Sequence, residues 1–173
     1  KYLVKFFVVT FLLLVCTHVW AEQKVAYLDM KFILNNSKAG KGAQDFLHES
    51  FQANQKKFLD KENALKKEEN DLLTQKTILT KEEYQKKSDN LRKKVIDYQS
   101  QRRTSLEKIT AQRAKAREKL LEKLDPILQT YIEESDISLV IDRKNVVMGN
   151  TNLDITDIII KKLNKEFPSL SIE

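Results

Sequence analysis

The sequence predicts an α+β fold, a small β body carrying a long antiparallel α-helical hairpin arm, and three observations lead to it. Phe51, Phe58, Leu65, Leu72 and Leu79 fall seven residues apart, on one narrow stripe of a helix. Leu79-Thr80-Lys81-Glu82-Glu83-Tyr84 then reads as a new helix start: Thr80 caps, Glu83 reaches back to the Thr80 amide, and Leu79 staples to Tyr84. Short runs with strand character sit far apart, at Lys24 to Leu28 and Ile137 to Ile141, outside the helical pattern.

In chain order, Lys24 to Leu28 is a strand with Val25, Tyr27 and Leu28 as its apolar members. Asp29 caps a brief helix, Met30 to Asn36, and the small residues of Ser37 to Gly42 bend the chain. The first arm helix runs from Lys41 to Lys76, roughly 54 Å at 1.5 Å per residue. The positions that would double its seam, Asn54, Lys61, Glu68 and Gln75, are all polar, so the hairpin is modestly held. The second helix, Lys81 to Glu134, spans roughly 80 Å by the same rise, and its denser apolar series averages a step of about 3.6, near that of an undistorted helix.

That second helix outruns its partner. Leu120, Leu121, Leu124, Ile127, Leu128, Tyr131 and Ile132 crowd its end, which must therefore be buried, and Pro126 should kink or break it nearby. Ile137 to Ile141 forms a strand, and Val146-Val147-Met148 is its expected hairpin partner. Gly149-Asn150 turns the chain, and Asp154 caps a last helix, Ile155 to Lys165, with Ile155, Ile158, Ile159 and Leu163 on its buried face. Three short strands and one helix bury too little to stand alone, so the body is expected to be an oligomerisation core.

The extreme N-terminus has a different character. Lys1 and Lys5 make a basic start, Phe6 to Val15 is apolar, and Val19-Trp20-Ala21 is an acceptable cleavage pattern, as in a secretory signal peptide cut after Ala21. A retained membrane anchor is the alternative, and Cys16 invites a lipoprotein reading against which Val15 stands where a small residue is usual. Cleavage leaves 152 of the 173 residues, and 31 basic against 25 acidic residues become 29 against 25. The only Cys and Trp leave with the signal, so the exported chain forms no disulfide of its own. The division is thus signal peptide 1–21, β body 22–40 with 119–173, and arm 41–118.

Catalysis finds no foothold, and the chain is read as a non-enzyme without cofactor or metal. His48, the one histidine left after cleavage, sits among charged residues and suits a solvated or capping role. No Gly-rich phosphate loop or zinc-type HExxH motif is present. Charge says more: Lys41 to Lys76 balances seven basic against seven acidic residues, whereas Lys86 to Lys119 holds twelve against four. Such a face is either a solvated helix surface or one that attracts anionic partners. Export argues against nucleic acid, as does the lack of stacked aromatics along a groove.

Val25-Ala26-Tyr27-Leu28-Asp29-Met30, Asn36-Ser37-Lys38-Ala39-Gly40-Lys41, Leu139-Val140-Ile141-Asp142-Arg143-Lys144-Asn145-Val146-Val147 and Asn152-Leu153-Asp154-Ile155-Thr156 resemble the OmpH/Skp family of periplasmic chaperones. The resemblance runs from about Lys24 to Asn164 and is specific at the two ends of the chain. It implies a periplasmic homotrimer whose hairpins enclose a cavity that holds unfolded outer-membrane proteins without ATP. Client contacts would then come from Phe51, Phe58, Leu65, Leu72, Tyr84, Leu91 and Tyr98, and oligomerisation from Val25, Tyr27, Leu139, Ile141 and Val147. The family's proposed lipopolysaccharide site, a basic residue followed by two adjacent arginines, is matched by Arg92, Arg102 and Arg103, which would also suit an anionic membrane surface. The competing reading is a structural coiled-coil spacer or adaptor of the cell envelope.

Overall fold

The computed structural model describes residues 23–172, so the signal-peptide reading of 1–21 lies outside the described residues. Strand β1 (Lys24–Leu28) pairs with β2 (Ile137–Asp142) in parallel, with Val25 opposite Leu139 and Tyr27 opposite Ile141. Parallel strands need a crossover between them. Here the crossover is the arm itself, formed by helix α1 (Met30–Asn36), helix α2 (Lys38–Thr74) and helix α3 (Lys81–Glu134). Helix α4 (Thr156–Glu166) closes the chain.

Local chemistry sets most boundaries. Asp29 accepts from the Phe32 amide and caps α1. Ser37, fully buried, accepts from the Gly40 amide and caps α2. The bend is therefore one residue wide, and α2 starts at Lys38, three residues before the expected Lys41. A 3-10 turn, Gln75–Thr77, ends it. Thr80 and Glu83 make the reciprocal cap that starts α3, as the sequence predicts. Its other end stops at Asp136, whose φ of 56° is the left-handed conformation that usually falls to glycine and that Asp tolerates.

The core lies where the two chain ends meet the foot of the arm. Ala26 and Leu28 of β1, Ile33 and Leu34 of α1, and Ala39 of α2 pack with Leu120, Leu124 and Ile127 of α3 and with Ile159 and Leu163 of α4. The surplus length of α3 is thus buried in the body. Two side-chain bonds hold α4 to the other side: Thr156 Oγ1 accepts from the Asp29 amide at 2.9 Å, and Asn164 Oδ1 accepts from the Lys38 amide at 2.6 Å.

Three expectations are corrected. Val146-Val147-Met148 is not a strand; β2 pairs with β1 instead, and Val147 and Met148 are 102% and 92% exposed. Asp142 accepts from the Lys144 amide and caps a 3-10 turn, Arg143–Asn145, which ends the extended run before a hairpin can form. Of the kink or break expected at Pro126, the break does not occur, since α3 runs on to Glu134. Pro126 and Glu122, whose carbonyl it frees, are both exposed residues, while Leu124 and Ile127 stay buried. In α4, Ile158 is exposed, and Ile159 and Leu163, with Ile155 just ahead of the helix, make the buried face.

Two glycines give opposite predictions. A Cβ at Gly40 would stand 1.9 Å from the Leu34 carbonyl oxygen, whereas one at Gly42 meets nothing within 4 Å. Gly42→Ala should gain about 0.5–1 kcal/mol from helix propensity. Gly40→Ala should instead lose about 1–3 kcal/mol, because α1 must move off α2. Urea unfolding midpoints of the two variants check the difference in sign.

Candidate functional site

The arm is an antiparallel pair of α2 and α3 whose seam alternates apolar and polar layers. Phe58, Leu72 and Leu91 are buried in it, Leu65, Tyr84 and Tyr98 are half-buried, and Phe51 is 38% exposed. The polar residues that interrupt the stripe reach across to the other helix. Asn54 accepts from Ser105 at 2.7 Å, Lys61 donates to Gln101, Glu68 accepts from Lys94 at 2.7 Å, and Gln75 accepts from Lys87 at 2.7 Å. Every one of the four seam positions noted as polar is therefore a rung. Such rungs fix register and pairing but add little stability, because each exchanges hydrogen bonds with water for hydrogen bonds with protein.

Midway along the arm the apolar and basic candidates come together. The Phe58 and Tyr98 rings meet edge to face, with centroids 6.0 Å apart at 67°. Tyr98 donates its hydroxyl to Glu62 at 3.2 Å, and Glu62 pairs with Lys66 at 2.8 Å. Beside them is a groove of about 690 Å³ lined by Phe51, Phe58, Leu59, Tyr98, Arg102 and Leu106. A shallower hollow of about 470 Å³ adjoins it and adds Gln99 and Arg103.

Of the predicted contacts, then, Phe51, Phe58 and Tyr98 line one groove with Arg102, and Arg103 stands next to it. Arg92 does not: it is exposed on α3, ten residues from Arg102 or roughly 15 Å along the axis. Leu65, Leu72, Tyr84 and Leu91 belong to the seam farther out. Leu59, 57% exposed, was not among the predicted contacts; an apolar residue off the stripe and amid charge was the signal that could have found it. Leu106, 45% exposed, belongs to the apolar series of α3 yet opens into the groove.

The body presents a second surface. With Ala26 and Leu28 turned to the core, the opposite face of the sheet carries Val25, Tyr27, Leu139 and Ile141 as register partners, all exposed or half-buried. Tyr27 donates its hydroxyl to the Asn150 carbonyl at 3.3 Å, and the loop from Val146 to Asn150 lies beside its ring. Val147 stands out in solvent beyond it. His48 is exposed and hydrogen-bonds Gln52 at 2.9 Å, as suits a solvated residue. Among the described residues no group of His, Cys, Asp or Glu could hold a metal ion, and no helix is long and apolar enough to cross a membrane.

This architecture defines a class: an α+β chain with a small body and one long helical hairpin, its apolar side chains spread along the hairpin. The family model for outer membrane protein (OmpH-like) matches residues 24–163, and the chain belongs to that family. A crystal structure of a candidate OmpH-like outer-membrane chaperone from Caulobacter crescentus CB15 superposes with a TM-score of 0.83 at 22% identity, covering 91% of this chain and 93% of that one. That likeness is one of fold. No curated protein matches this chain in sequence.

Two carboxylates on the arm, half-buried Glu62 and exposed Glu83, are held below the ordinary carboxylate range. For Glu62 the main cause is the hydrogen bond from Lys66, followed by the Lys66 charge and the Tyr98 hydroxyl. For Glu83 it is the Thr80 side chain and then the Thr80 amide. Their contribution is present above the unfolded carboxylate pKa and is lost as pH falls through the depressed folded values. Amide exchange, corrected for its intrinsic pH dependence, should therefore speed up around residues 58–66 and 80–84 on acidification, while the Ile33–Leu124 core region stays protected.

Proposed function

We propose that this chain is a periplasmic, ATP-independent holdase, a non-enzymatic chaperone that binds unfolded outer-membrane proteins between helical arms and keeps them from aggregating. The observation that carries this reading is the polar ladder: rungs hold the hairpin while Phe51, Leu59 and Leu106 remain 38%, 57% and 45% exposed beside it. An unfolded barrel strand alternates apolar and polar residues and suits no single rigid pocket. Many weak contacts along a flexible arm bind it by number and release it without a nucleotide.

In this reading residues 41–118 are the arm, 22–40 and 119–173 are the body, and 1–21 are a cleaved export signal. Phe51, Phe58 and Tyr98 with Leu59 and Leu106 contact clients, and Leu65, Leu72, Tyr84 and Leu91 chiefly set the seam. Arg102 and Arg103 steer acidic segments of the client and would also meet a lipopolysaccharide phosphate. The body assembles as a homotrimer through the outer sheet face, Val25, Tyr27, Leu139 and Ile141, and through Val147. Burying that face answers the weakness of a two-stranded sheet. Closed symmetry would then set the arms around one space.

The mature chain should suppress light scattering from a diluted, urea-denatured porin, and Leu59→Ser/Leu106→Ser should weaken suppression several-fold with helix content unchanged. No suppression at any ratio, or capture of one folded partner alone, would favour the spacer. Static light scattering should give the mass of three chains, and Leu139→Lys/Ile141→Lys should lower it. A cooperatively melting single chain at micromolar concentration would remove both trimer and cavity.

A further inference from the structure

At the foot of the arm lies a larger groove, about 1090 Å³, between α1, the first turns of α2, and α3. Leu34, Leu47 and Leu120 close its floor, and Phe51 stands at its outer end. Phe51 also lines the mid-arm groove, so the two grooves flank one side chain. From Gly40 to Phe51 the groove follows α2 for roughly 16 Å, the reach of about five extended residues.

Its charge is unbalanced in a specific way. Asp29 is engaged in capping α1, and Asp142 both caps its turn and pairs with Lys144 at 3.7 Å. Arg143 pairs with Asp154 at 3.4 Å. Lys31, Arg113 and Arg117, which also line the groove, make no ion pair among the described residues, and Asp45 is the one carboxylate left opposite them. Arg113 and Arg117 are four apart on α3, so two like charges stack on one face with no counterion between them. A ligand carboxylate would relieve that repulsion, and guanidinium groups bind carboxylates in a two-pronged fork.

We propose that this groove is a peptide-binding subsite for an extended, acidic and apolar stretch of unfolded polypeptide, about five residues long, next to the mid-arm groove. The inference rests on the holdase reading and adds to it a preference for carboxylate-bearing segments. A second copy of this chain is the poorer occupant. Its exposed apolar pair, Val147 and Met148, follows Arg143 and Lys144 and would bring cations against cations.

The test is fluorescence anisotropy on the full mature protein, using a labelled pentapeptide of alternating phenylalanine and aspartate and its counterpart with lysine for aspartate. The acidic peptide should bind at least about tenfold more tightly, and Arg113→Glu/Arg117→Glu should cancel or reverse the preference. If that variant loses helix content, Arg113→Gln/Arg117→Gln serves, with an expected weakening of about tenfold for the acidic peptide alone. Equal binding of the two peptides, binding unchanged by either variant, or a groove covered by a second copy in cross-linking would overturn the proposal. Porin suppression measured on the same preparations separates the outcomes. Failure of the holdase reading abolishes it in the unmodified chain, whereas failure of the subsite alone leaves it intact.

Discussion

Everything in the molecule hangs from the burial of one helix end. Leu120, Leu124 and Ile127 of α3 meet Ile33, Ile159 and Leu163, side chains drawn from three helices, with almost no solvent between them. Because α3 is 54 residues long and α2 only 37, this junction lets a single rod serve both as core element and as half of the arm. The arm is cantilevered, anchored at its foot by packing and held further out by the alternating apolar and polar layers of its seam. Burial of apolar area at the foot contributes far more than any rung of the ladder, so the body is the stable end.

The ladder decides what kind of arm it is. An apolar seam at Asn54, Lys61, Glu68 and Gln75 would have made a stiff, self-sufficient coiled coil with its apolar surface consumed. Polar rungs keep the pairing in register and leave Leu59 and Leu106 outside it. Exposed ion pairs such as Glu68–Lys94 contribute little net energy and cost little to open.

The parallel pairing of β1 and β2 connects arm and body in topology as well as in packing. No hairpin could join these strands, so the whole arm is the crossover, and the loop after β2 is free to carry exposed apolar residues. The outer face of the sheet is then left exposed or half-buried, and the Val147-Met148 pair stands in solvent.

Much of this was legible in the residues alone. Capping by Asp29 and Thr80, the span of α3, and the burial of its end depend on side chains within a turn or on periodicity along one helix, and those signals are local. The meeting of Phe51, Phe58, Tyr98 and Arg102 was half legible, since the stripe set the register but not which flanking residues would open into a groove. Tertiary structure alone decided that β2 pairs with β1 rather than with Val146–Met148, that α3 passes through Pro126, and that each polar seam residue finds a partner across the hairpin. Those outcomes turn on groups distant in sequence: a strand takes whichever edge the fold brings to it, and a helix tolerates a proline when burial on its other face outweighs one lost hydrogen bond.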